Sequence, residues 1–90
     1  MKYRLSLAAK EDLIRIFNYG KLRFGEDQAI KYYNQLFDAF DRIVKYPKAF
    51  TQVDHIKPGY RRYVCGSDSI YYKISTDHIE IMTIIGNQDF

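Results

Sequence analysis

Three cations and two aromatic rings fall within seven residues in Lys57-Pro58-Gly59-Tyr60-Arg61-Arg62-Tyr63. Fixed cations bind phosphate, and a tyrosine ring offers a face on which a base can stack. On a strand, Arg61 and Arg62 point to opposite faces, so they form no joint clamp without a bulge. One of them can meet the polar margin of a helix or pair with an acid while the other faces out. The competing reading is structural: an arginine ion pair set among core tyrosines.

The rest of the chain carries little that resembles reaction machinery. It has no Gly-rich phosphate loop, no Gly-x-Ser-x-Gly elbow and no zinc-ligand spacing. His55 falls in a loop, His78 beside a turn, and Cys65 is the only cysteine, with no obvious role as a third ligand. Neither a metal site nor a cofactor is expected from this set. Cys65 ends a strand with no local histidine or helix N-terminus to activate it, so it reads as a small apolar residue rather than a nucleophile. No residue is assigned as catalytic.

The elements that position these side chains follow from size and pattern. Ninety residues suit one domain, residues 1–90, and a chain of this length has a modest core. Nine tyrosines and six phenylalanines supply bulk in place of tryptophan. Tyrosine hydroxyls need water or a partner, so this composition suggests a core with wet edges or a surface covered by another protein. The net charge of +3 and isoelectric point near 9.0 are mildly basic. They suit an acidic partner or nucleic acid, and equally an ordinary solvated surface. A single cysteine leaves no internal disulfide, which points to a reducing compartment. Met1-Lys2-Tyr3-Arg4 lacks a signal-peptide core, and no window reaches the roughly 20 apolar residues of a membrane span. A cytoplasmic location without membrane attachment is expected.

Tyr3, Leu5 and Leu7 alternate with Lys2, Arg4 and Ser6, the period of a half-buried strand. Ser6 can also cap the helix after it. From Ala8 the period becomes helical: Ala9, Leu13, Ile16, Phe17 and Gly20 recur on one stripe. Glu11 and Asp12 suit the positive end of that helix and Lys21 and Arg23 its negative end, with Gly25 as the stop. Ala29, Tyr33, Leu36, Phe40 and Ile43 then step by four, three, four and three, widened by Phe37 and Val44, from Glu26-Asp27 to Pro47. A short connection makes the two helices antiparallel neighbours. Residues 47–59 read as a loop. Tyr60–Cys65 is a strand, and Gly66, Ser67 and Asp68 turn the chain. Ile70, Tyr72 and Ile74 alternate along the next strand. In the last, Ile79, Ile81, Thr83 and Ile85 alternate with Glu80, Met82 and Ile84. Short turns make these three strands antiparallel. The expected fold is α+β: a lead strand, an antiparallel helical hairpin, then a three-strand antiparallel sheet.

Several local words, in this order, resemble the ParE branch of the ParE/RelE superfamily of type II toxins. They are Leu5-Ser6 with Ala9, Asp12-Leu13, Ile16 and Tyr19; Phe24-Gly25 with Gln28-Ala29, Tyr33 and Leu36; Gly59-Tyr60-Arg61-Arg62 with Ser69-Ile70-Tyr71-Tyr72; and Ile84-Ile85 with Gln88-Asp89. The resemblance implies a toxin that binds the A subunit of DNA gyrase and inhibits the enzyme, held silent by a ParD-like antitoxin. No sequence-specific DNA contact is expected. RelE-like relatives share the fold but cut messenger RNA on the ribosome with lysine or arginine on the central strands and an arginine, histidine or tyrosine near the C-terminus. Here the ending is Gly86-Asn87-Gln88-Asp89-Phe90, with no such group, which counts against the ribonuclease alternative. A further alternative is a non-toxic remnant that only binds antitoxin. Target binding is expected at Asn87, Gln88, Asp89 and Phe90, a largely polar stretch that extends past the last strand, with Arg61 and Arg62. Antitoxin binding is expected on the helical hairpin and sheet edge, at Tyr19, Phe24, Tyr33 and Tyr71.

Overall fold

The computed structural model describes residues 1–86, so Asn87, Gln88, Asp89 and Phe90 lie outside the described residues. The chain runs β1 (Lys2–Leu5), α1 (Leu7–Phe24), α2 (Glu26–Lys45), β2 (Thr51–Gln52), β3 (Tyr60–Cys65), β4 (Asp68–Ile74) and β5 (His78–Gly86). The five strands form one sheet in the order β1-β5-β4-β3-β2. The three expected antiparallel strands are its centre. β1 adds to them in parallel alongside β5, with Leu5 opposite Ile81. β2 adds at the other edge, Thr51 opposite Arg62, so the stretch read as loop contributes a short strand.

Helix α1 starts one residue earlier than its periodicity indicated. Leu7 belongs to the helix, not the strand, and is exposed. Ser6 is its cap: the Oγ accepts the Ala9 amide at 3.0 Å, satisfying one of the free donors of the first turn. That turn contains no acid, so Glu11 and Asp12 do not serve the helix dipole as expected. Gly25 ends α1 and precedes α2 directly, at φ 91°, a conformation that side-chain-bearing residues rarely adopt. Glu26 and Asp27 do open α2.

Both helices pack on one face of the sheet. Leu13 and Ile16 of α1, and Leu36, Phe40 and Ile43 of α2, close over Ile70, Tyr72, Ile79, Ile81 and Ile84. The last of these corrects the expected alternation of β5. Ile79 and Ile81 face the core as read, but so does Ile84, while Ile85 is exposed. The register explains it: Tyr72 pairs with Ile81 and Tyr71 with Thr83, so Met82 is an extra residue on β5. One inserted residue in a strand shifts the side-chain alternation by one and disturbs the ladder locally.

The backbone groups around this bulge are taken up by the start of α1. β1 has ended by this point, so β5 has no strand neighbour on that side. The Ser6 amide donates to the Ile81 carbonyl at 3.0 Å and the Ser6 hydroxyl to the Met82 carbonyl at 2.6 Å. Asp12 Oδ2 accepts from the Thr83 hydroxyl at 2.7 Å and from the Ile84 amide at 2.9 Å. Arg15, itself 3.4 Å from Asp12, donates to the Ile84 carbonyl at 3.1 Å. Asp12→Ala removes the acceptor for two of these donors and is expected to lower stability by about 1–3 kcal/mol, because a partly buried amide loses its partner. Urea denaturation checks this, with Glu11→Ala, exposed one residue away, staying within about 0.5 kcal/mol of the parent.

Candidate functional site

Arg61 and Arg62 do diverge. Arg61 turns toward the helices' side, where its Nη1 donates to the carbonyls of Lys48 at 3.2 Å and Phe50 at 2.8 Å. It is thereby a brace for the segment that follows α2, with no acid partner among the described residues. Tyr72 braces the same segment, donating its hydroxyl to the Pro47 carbonyl at 2.7 Å. Tyr63, next on the same face, accepts from Arg42 at 3.0 Å and packs edge-on against Phe50. Arg62 pairs in register with Thr51 and Tyr71, and among the described residues it makes no ion pair. Of the two arginines, Arg62 is the one left on the helix-free face. Lys57 lies over the Tyr60 ring at 5.7 Å from its centre.

The residues assigned to antitoxin binding separate into two kinds. Tyr19 and Phe24 are exposed on α1, beside Leu22, which is 88% exposed. Tyr33 is half-buried and packs against Phe17 and Phe37. Tyr71 is 5% exposed and lies on β4, a central strand rather than an edge.

Tyr19 and Phe24 border a cleft of about 500 Å³ between the helical hairpin, the β3–β4 turn and the end of β5. Its floor includes Tyr32 and Asp68, two residues that sequence reasoning passed over. The Tyr32 hydroxyl lies 2.6 Å from an Asp68 carboxylate oxygen and 2.9 Å from the Cys65 carbonyl. Burial, and then the Asp68 hydrogen bond, push the Tyr32 hydroxyl far above its ordinary pKa. The ring is seated by Gly66. A Cβ there would stand 2.7 Å from Tyr32 Cε1, and the φ of 58° already disfavours a side chain. Nothing in the spacing of Tyr32 and Asp68 links them across 36 positions, and Tyr32 falls beside, not on, the core stripe of α2.

The other titratable groups offer little reactivity. Burial, then Asp68, raise the Cys65 thiol pKa, which disfavours the nucleophilic thiolate. His78 Nδ1 is 2.8 Å from Asp77, whose carboxyl is held below its usual range chiefly by that hydrogen bond. His55 is exposed in the loop before β3. Among the described residues no three His, Cys, Asp or Glu side chains gather as metal ligands. No helix among them is long and apolar enough to cross a membrane.

Comparison with known proteins identifies the family. Residues 3–89 match the model of the ParE toxin of type II toxin-antitoxin system, parDE. The chain belongs to the ParE toxin family. It is 32% identical over 83 residues to Toxin ParE1 of Caulobacter vibrioides, covering 92% of this chain and 85% of that one. It is 36% identical over 74 residues to Toxin ParE1 of Mycobacterium tuberculosis, covering 82% and 76%. Among solved structures, one described as the chromosomal ParDE TA system from P. aeruginosa superposes with a TM-score of 0.80 at 20% identity, over 96% of this chain and 95% of that chain. The two chains thus share a fold.

The braces of the ParE scaffold give a pH dependence with a definite sign. Burial pushes the Tyr72 hydroxyl up to about 12 from its ordinary 10.0, so the fold favours the neutral phenol. A raised pKa contributes stability that is complete below pH 10 or so and is lost as pH climbs toward about 12. Urea midpoints measured across that window should fall, and Tyr72→Phe should flatten the fall while lowering stability at neutral pH.

Proposed function

We propose that this ParE-family chain is a toxin that inhibits DNA gyrase by binding its A subunit, and that a ParD-like antitoxin silences it by covering the helical hairpin. The family match over residues 3–89 carries the toxin reading. The antitoxin surface is supported by the apolar side chains left uncovered along α1: Leu7, Ile14, Tyr19, Leu22 and Phe24 are all more than half exposed. Large exposed apolar patches mark protein contacts. The basic net charge suits an acidic wrapping segment.

The gyrase reading rests on the family resemblance and on where the two arginines stand. Arg61 is committed to the carbonyls of Lys48 and Phe50, which leaves Arg62 for a target. The proposed target contact combines Arg62 with Asn87, Gln88, Asp89 and Phe90. A surface built this way grips a protein and needs no acid–base pair. The antitoxin reading draws on Tyr19 and Phe24 directly, and on Tyr33 through its packing against Phe17 of α1; Tyr71, opposite Arg62 on the helix-free face, falls outside that surface.

Purified chain should inhibit gyrase supercoiling or raise the yield of linearised plasmid, and the addition of antitoxin should reverse the effect. Neither effect at concentrations well above the antitoxin affinity would contradict the gyrase reading, and ribosome-dependent transcript cleavage lost on Arg62→Ala would replace it with a nuclease. Removal of residues 87–90 should abolish gyrase inhibition with antitoxin binding retained. A melting curve on the truncated chain separates lost contact from lost stability.

A further inference from the structure

The cleft beside the hairpin contains a carboxylate with more hydrogen-bonding capacity than the described residues use. Asp68 is only 7% exposed. Its Oδ2 accepts from Tyr32 at 2.6 Å, and no hydrogen bond among the described residues reaches its Oδ1. A carboxylate has about four acceptor positions, and the described residues fill only some of them. The surrounding walls are aromatic and aliphatic: Tyr19, Phe24 and Tyr32 contribute rings, and Ile16, Gly20 and Ala29 a smooth apolar side. Ring faces attract cations. Arg15 is the one basic residue among the described residues lining the cleft, and its guanidinium is already engaged by Asp12 and the Ile84 carbonyl. Arg23, outside the lining, lies over the Tyr19 ring at 5.7 Å from its centre, so the free charge of the lining itself is that of Asp68.

We propose that this cleft is a socket for a guanidinium, an arginine side chain presented by the antitoxin segment that covers the hairpin, an inference that rests on the antitoxin reading above. A guanidinium meets each feature of the cleft. Its plane stacks on Phe24 or on the ring face of Tyr19 that Arg23 does not cover, its fork donates to Asp68 and its three-carbon stem lies along Ile16 and Ala29. An acidic wrapping segment then gains register from a single cation seated in this cleft. Lysine satisfies the charge but neither the stacking nor the fork.

The test uses small probes on the intact chain. N-acetyl-arginine N-methylamide is titrated against the amide resonances of Gly20, Ala29 and Asp68, beside its neutral isostere N-acetyl-citrulline N-methylamide. Saturable shifts in the millimolar range are expected for arginine, as befits one side chain, with citrulline at least about tenfold weaker. Asp68→Asn should erase that preference. Tyr19→Leu and Phe24→Leu, at exposed rings outside the core, should weaken arginine binding without lowering the melting temperature, and they decide the matter if Asp68→Asn fails to fold. Equal binding of arginine and citrulline, or no shift up to about 50 mM, overturns the socket. So does an antitoxin complex whose affinity is unchanged by a folded Asp68→Asn chain, which leaves the antitoxin reading standing. Absence of any antitoxin complex removes that reading, and the socket as an antitoxin contact falls with it, whatever the arginine titration shows.

Discussion

The bulge in β5 and the two residues that hold it organise the rest of this small protein. Met82 breaks the alternation of the longest strand just where β1 ends, which leaves carbonyls and an amide without ladder partners. Ser6 and Asp12 satisfy them from the first turns of α1. Because Ser6 directly follows β1, caps α1 and donates to the bulge, strand, helix and irregularity are locked by one residue. Without the bulge, Ile84 would face away from the helices and Ile85 into them. With it, Ile84 fills the core and the end of β5 arrives beneath the hairpin.

The functional geometry follows from that placement. The hairpin is anchored at its open end by the Ser6–Asp12 contacts. Farther along, Tyr32 reaches the β3–β4 turn, a fit that a side chain at position 66 would obstruct. Between these two attachments the helices stand off the sheet, and the cleft lined by Tyr19, Phe24, Tyr32 and Asp68 lies in the gap. The helix-free face of the sheet holds Arg62, while Arg61 is spent on bracing the segment after α2. Two surfaces therefore face different directions on one sheet, which is what a protein needs if one partner silences it and another is its target.

Much of the architecture was legible in the residues. The 3.6-residue period marked both helices because their apolar stripes are wide, and Gly25 and Pro47 punctuate them. The three central strands were legible from alternation and short turns. The bulge was not, because Ile occupies positions 79, 81, 84 and 85, so a period-two pattern fits either register of the strand's end. β2 was missed because two residues are too few to show a period. The joining of β1 to β5 in parallel depends on a long-range pairing that no local pattern encodes. Site residues followed the same logic. The divergence of Arg61 and Arg62 is a property of any strand and was foreseen. Asp12 looked like a helix-dipole carboxylate and Asp68 like a turn residue, because each takes its role from a partner more than 30 positions away.

The central claim is that this chain works by presenting separate surfaces to two proteins, with the hairpin side reserved for the antitoxin. Amide hydrogen exchange of the chain alone and in complex with its antitoxin tests it most directly. The account predicts slowed exchange in the later turns of α1 and the start of α2, around the cleft and extending to the β3–β4 turn, with β2 and the adjoining part of β3 around Arg62 unchanged. Protection centred on Arg62 and β2, with the hairpin exchanging as in the free chain, would contradict it.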